Sequence, residues 1–167
     1  NKDLYGGGIK FEDAVSAQDS FQIGAAIINQ CTITINNMYD DFTDYVFEGA
    51  EVVCYVGVQT SYRIEKIQLC TMTVTDAPYQ NSSIISLTCQ DNMLKFDRDY
   101  SDSKLIYPAT RLQIIKDACE VCGVPMGTTS FDGDDYIVQE TPETEELTFR
   151  QVLVWTAQIG CQWARCD

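Results

Sequence analysis

In the first half of the chain, apolar and polar residues alternate with a period of two in several short runs. In the second half, two runs show a helical period. Cys31, Ile33 and Ile35 alternate with Thr32, Thr34 and Asn36, which predicts a strand with one buried face, ended by Asn36-Asn37. Residues 51–58 form a second, more continuously apolar strand signal, and residues 62–69 a third, joined across 57–62 by a connection of hairpin length. Thr71, Thr73 and Thr75 alternate with Met72, Val74 and Asp76 as a fourth, and residues 84–90 read as a fifth after the turn-rich run 77–83. Residues 1–24 carry little period and read as a lead-in arm, with Gly6-Gly7-Gly8 as a flexible or turning run and Phe21 and Ile23 as anchors.

Strands linked by turns of hairpin length, with no helix between them, predict an antiparallel barrel or sandwich. A parallel nucleotide-binding sheet needs crossover helices, and neither these nor a glycine-rich phosphate loop is present.

The helical runs have matching starts. Thr110-Arg111-Leu112-Gln113 and Thr148-Phe149-Arg150-Gln151 are both Thr-x-x-Gln capping boxes, predicting helices over about 110–122 and 149–160. In the first, Leu112, Ile115, Cys119 and Cys122 fall on one apolar face, and Gly123 is placed to end it. In the second, Val152, Leu153, Thr156 and Ile159 lead to Gly160. Between them, Phe131, the Asp132-Gly133 turn and Tyr136-Ile137-Val138 read as a short hairpin. The expected fold is α+β and mainly β: an antiparallel β-barrel-like domain with its N-terminal arm over 1–98, then a small two-helix α+β unit over 99–167. A start at Asn1 rather than Met, and a stop at Asp167 soon after a helical run, read as the bounds of a piece of a longer protein.

Composition narrows the chemistry. The formal charge is −14, from 25 acidic and 11 basic residues, which disfavours a surface that neutralises a nucleic-acid backbone. There is no histidine, so Ser-His-Asp and Cys-His nucleophile pairs and most catalytic zinc sites are excluded. No run approaches the ~20 apolar residues of a membrane span. Eight cysteines invite a disulfide reading, but Cys31 and Cys89 alternate with apolar neighbours, Cys54 lies in an apolar run and Cys119 shares a helix face with Ile115, so each of these reads as a small buried hydrophobe.

Cys119-Glu120-Val121-Cys122 has the spacing of a zinc or redox pair. It sits at a predicted helix C-terminus, where the dipole does not favour a thiolate, and Cys161 and Cys166 are too widely spaced to complete a zinc site. Asp132, Asp134 and Asp135 lack the spacing of a calcium loop and read as a solvated tip. Asp40, Asp41 and Asp44, like Glu143, Glu145 and Glu146, read as charged surface. No acid and base pair is assembled, so no catalytic, metal or cofactor residue is assigned. Of Tyr100, Tyr107, Tyr136, Trp155 and Trp163, most are expected in the core, with none of their spacings marking one face as a ligand patch.

The order of features resembles the phage and prophage tail baseplate-hub family. The resemblance lies in Phe21-Gln22-Ile23-Gly24, the strand 31–37, and Phe47-Glu48-Gly49-Ala50. It continues in residues 86–97, ending around Asp91-Asn92-Met93, then Tyr107-Pro108-Ala109-Thr110 with Gly123-Val124, and Thr148–Leu153 with Ala157. The chain departs from that pattern at Cys70-Thr71-Met72, where relatives often carry Gly-x-Phe.

The resemblance implies a non-enzymatic structural subunit at the end of the tail tube, assembled in the bacterial cytoplasm and carried in the virion tail. It also implies a homo-oligomer, commonly a trimer. The implied partners are the distal tail protein, the tape-measure terminus and spike or fibre components, with no specific nucleic acid. Two other readings stay open at this point: a secreted β-rich binding module held by disulfides, and a tail-borne carboxylate hydrolase.

Overall fold

The computed structural model describes residues 3–14, 22–81, 83–142 and 146–166. The chain divides into two compact units. The first comprises 1–13, 28–92 and 166–167, and the second 14–27 and 93–165.

The first unit is a single antiparallel sheet. Its strands are β1 (Leu4–Glu12), β2 (Gln30–Asn36), β3 (Glu51–Gln59), β4 (Ile64–Asp76), β5 (Tyr79–Asn81) and β6 (Ile84–Asp91). They are ordered β1-β2-β6-β4-β3, with the short β5 also paired to β6. The sheet curls into an open half-barrel, and with the helices that follow it bears out the mainly β, barrel-like α+β fold.

The period-2 signals become buried stripes inside the curl. Cys70, Met72 and Val74 of β4 meet Ile85, Leu87 and Cys89 of β6, with Cys31 of β2 and Ala77, while Phe11, Ile33, Ile35, Phe42, Phe47 and Val52 pack around them. Eight side chains form this buried cluster, and at about 1.5–3 kcal/mol for each large apolar side chain, their burial is the main stabilising term of the unit. Asn29 closes the far end of β6. Its backbone N–H and Nδ2 both donate to Asp91 Oδ2, at 3.2 and 3.0 Å, so two buried polar residues satisfy each other.

Several expectations are corrected here. The lead-in arm is in part a strand: β1 pairs with β2 from Leu4↔Ile35 to Glu12↔Gln30, and a register break between Leu4 and Ile9 absorbs the glycine run. Gly6 and Gly8 adopt positive φ there, so the run is a bulge within a strand and not a hinge. The expected anchor Ile23 is exposed, and Phe21 lies outside the described residues.

The third and fourth strand signals are one 13-residue strand, β4, because ladder hydrogen bonds to β3 continue through Cys70. The link from β2 to β3 is no hairpin either. Those strands lie on opposite sides of β6 and β4, and residues 37–50 cross between them. Asn37 organises the crossing, accepting from Phe42 N–H at 2.9 Å and donating to Thr43 Oγ1 at 3.3 Å, while Tyr45 stacks on Phe47 and meets Phe42 edge-on.

The second unit holds β7 (Ala109–Thr110), α1 (Arg111–Cys122), β8 (Ile137–Val138) and α2 (Phe149–Ile159). Both capping boxes form: Thr110 accepts from Gln113 N–H and Thr148 from Gln151 N–H, each with the glutamine reaching back to the cap backbone. Gly123 ends α1 in the left-handed region, as the sequence predicts.

The buried face of α1 is displaced by one residue, to Arg111, Ile114 and Ala118. Leu112, Ile115, Cys119 and Cys122 are half-buried. Val152, Leu153 and Thr156 of α2 are buried as expected, but Ile159 is exposed. β8 pairs with β7 and not with the Phe131 side of its own turn.

Arg111 accounts for the rotation of α1. Its guanidinium is almost fully buried and donates to four acceptors: Thr156 O (3.0 Å), Asp132 O (2.9 Å), Gly133 O (3.1 Å) and Gln162 Oε1 (2.7 Å). It also lies 5.1 Å from the centre of the Phe131 ring. A side chain at Gly160 would overlap it, since a Cβ there would come within 2.2 Å of Nη2. Turning Arg111 inward satisfies the loop carbonyls but sets the rotation of α1.

Candidate functional site

The most conspicuous surface lies on the outer part of β3 and β4. As far as Cys54↔Cys70 the two strands are part of the curled sheet, and there the register breaks, with Tyr55 pairing to Gln68 and Leu69 left over as a bulge. From Tyr55 to Leu69 the strands continue as a two-stranded ribbon, closed at its tip by Thr60, which accepts from Arg63 N–H and donates its hydroxyl to Arg63 O at 2.6 Å.

Every ribbon residue but Thr60 is exposed. Tyr62 at the tip is 98% exposed and Ile67 69%. Pairing puts Val56 opposite Ile67 and Val58 opposite Glu65, so Val56, Val58 and Ile67 share one face, while Tyr55 and Ile64 stand on the other. A shallow groove runs beside the ribbon and takes its lining from both faces: Val56, Val58, Ile64 and Ile67 with Arg63, Glu65 and Lys66.

A two-stranded ribbon is marginal by itself in water, and one with this much apolar surface marks a contact region. β3 also ends the strand order, so its outer backbone edge is unpaired by any named strand. The ribbon's charge differs from the rest of the chain: residues 55–69 hold one acidic and two basic residues, against −14 overall.

The other candidates fall into place as structural groups. The carbonyls of Asp132 and Gly133 accept from Arg111, and Asp134 Oδ2 accepts from Phe131 N–H at 3.4 Å, so this tip is organised around a guanidinium cation. Asp40 accepts from the Thr43 hydroxyl, and Asp41 and Asp44 are exposed. Glu146 is exposed, and Glu143 and Glu145 lie outside the described residues.

Cys119 and Cys122 sit at the C-terminal end of α1. Burial raises both thiols, Cys122 to about 11, which is the opposite of an activated pair. Cys161 is exposed and Cys166 half-buried. Among the described residues, no group of three or more Cys, Asp or Glu side chains is arranged to hold a metal ion.

Of the five aromatic candidates only Tyr100 is buried. It meets Phe149 edge-on at 4.9 Å, and its hydroxyl lies 2.7 Å from that of half-buried Tyr107, whose phenol is pushed up first by burial and then by this bond. Tyr136, Trp155 and Trp163 are exposed, which corrects the expectation that most are core.

The ribbon was missed as a surface because 62–69 reads as an ordinary strand. The available signal was the mixed run Arg63-Ile64-Glu65-Lys66-Ile67-Gln68-Leu69, which lacks the clean alternation of a half-buried strand. Among the described residues no helix is long and apolar enough to cross a membrane. No family model, curated protein or solved structure matches the chain.

Proposed function

We propose that the chain is a non-catalytic structural subunit of a phage or prophage tail, of the baseplate-hub kind, and that its β3–β4 ribbon packs against neighbouring tail subunits. The observation that carries this reading is the apolar ribbon, free of the chain's acidic excess, extending from a well-packed half-barrel. A particle subunit needs a rigid body and a surface completed only by its neighbours, and β3 offers both apolar side chains and an open backbone edge. The ribbon does not share the acidic excess of the chain, so two chains of −14 charge repel least there. The baseplate-hub assignment itself comes from the sequence resemblance.

The test is electron microscopy of particles induced from the bacterium that encodes the chain, labelled with gold-conjugated antibodies raised against it. Gold at the tail tip is expected. Intact tailed particles that carry no gold, with the antigen found only in the culture medium as a free protein, overturn the reading in favour of a secreted module.

A further inference from the structure

Four of the eight cysteines converge inside the half-barrel although they come from four different strands. Cys31 of β2 is directly opposite Cys89 of β6, and Cys54 of β3 is directly opposite Cys70 of β4. Cys31, Cys70 and Cys89 are buried, whereas Cys54 is half-buried. Cys54 is a neighbouring thiol to both Cys31 and Cys70, and the ladder sets it directly across from Cys70. One partly accessible thiol therefore gives entry to an otherwise sealed set.

We infer that Cys54 and Cys70 form a redox modification site, in which a small-molecule disulfide oxidises the pair to an intramolecular disulfide at the base of the β3–β4 ribbon. Directly opposed residues of antiparallel strands have Cα atoms roughly 4.5–5.5 Å apart, inside the range a disulfide spans. Position selects the order of events. Cys54 is the member that solvent reaches, while burial holds the Cys70 thiol up at about 12, where thiolate is scarce.

The Cys54 thiolate attacks one sulfur of the small disulfide, forming a mixed disulfide and releasing one thiolate. The Cys70 sulfur then attacks Cys54 sulfur, and the second small thiol departs with the Cys70 proton. Two electrons pass from the protein pair to the reagent, which leaves as two thiols. The new bond lies next to the Cys54/Tyr55 bulge, where the ribbon leaves the sheet, so it pins the ribbon's base.

The test uses the full chain incubated with oxidised glutathione at mildly alkaline pH, followed by alkylation and peptide mass mapping. A Cys54–Cys70 cross-link is expected, with a loss of about two titratable thiols per chain assignable to it. Cys54→Ser, a conservative change at a half-buried position, should slow modification of Cys70 by about tenfold or more, because the accessible entry thiol is gone. Cys70→Val, which keeps the buried volume, should stop the reaction at a glutathione adduct on Cys54. A cross-link from Cys54 to Cys31 overturns the inference. So does full alkylation of both Cys54 and Cys70 after oxidation, or modification of Cys70 at an unchanged rate in Cys54→Ser.

Discussion

The two halves of the β3–β4 pair share backbone, pairing partner and composition, yet differ in what covers them. In the inner half, Val52, Cys54, Cys70, Met72 and Val74 face the curl and are buried or half-buried. In the outer half, Val56, Val58, Ile64 and Ile67 are as apolar but exposed. Ladder hydrogen bonding carries a strand past its core, but stability comes from the side chains that find cover, so a ribbon's length and its stability are set by different interactions. The bulge between the halves marks the transition.

Alkaline pH should act hardest on the inner half. Burial, reinforced by neighbouring thiols, raises Cys31 and Cys70 to about 12 and Cys89 to about 11 from an ordinary 9.0. With the folded values raised, the unfolded chain loses these protons first. Their contribution to stability is complete below pH 9 and is lost as pH rises towards 11–12. Urea midpoints followed from pH 7 upward should stay flat to about 8.5 and then fall, with the thiolate absorbance of these groups appearing only as the chain unfolds.

Met72→Ala, at a position 1% exposed, should cost about 3 kcal/mol in urea unfolding. Asp91→Ala removes the carboxylate that accepts from both the backbone N–H and Nδ2 of buried Asn29 and should cost about 2 kcal/mol. At the small end, Ile67→Ser in the outer half should change the monomer's stability by less than about 0.5 kcal/mol while weakening any association that sedimentation velocity detects. A cost from Ile67→Ser comparable to that from Met72→Ala would erase the distinction between the halves.

What was legible in the sequence was what short-range chemistry decides. The two capping boxes, the Gly123 stop and the alternation over 30–36 and 84–91 each depend on neighbours within a few residues, and each formed. What was not legible depended on distant partners. β1 is a strand only because β2 offers an edge, overriding a glycine run with no period of its own. The face of α1 is set by Arg111, which as the first residue of a helix reads as a surface group until the carbonyls of 132, 133 and 156 are brought to it. Exposure of β3's outer half was hidden for the same reason: Tyr55, Val56 and Val58 continue the apolar run of a buried strand, and only the extent of the half-barrel decides which of them it reaches.

Hydrogen exchange along β3 and β4, measured on the dilute purified chain, tests the division most directly. The account predicts slow exchange, near the rate of global unfolding, at 72–74 and at those amides of 51–54 that bond to β4, and exchange orders of magnitude faster across 55–69, whose ladder can open without disturbing the core. Uniform protection from Glu51 to Asp76 in the monomer would contradict it, because the outer ribbon would then be held as firmly as the half-barrel.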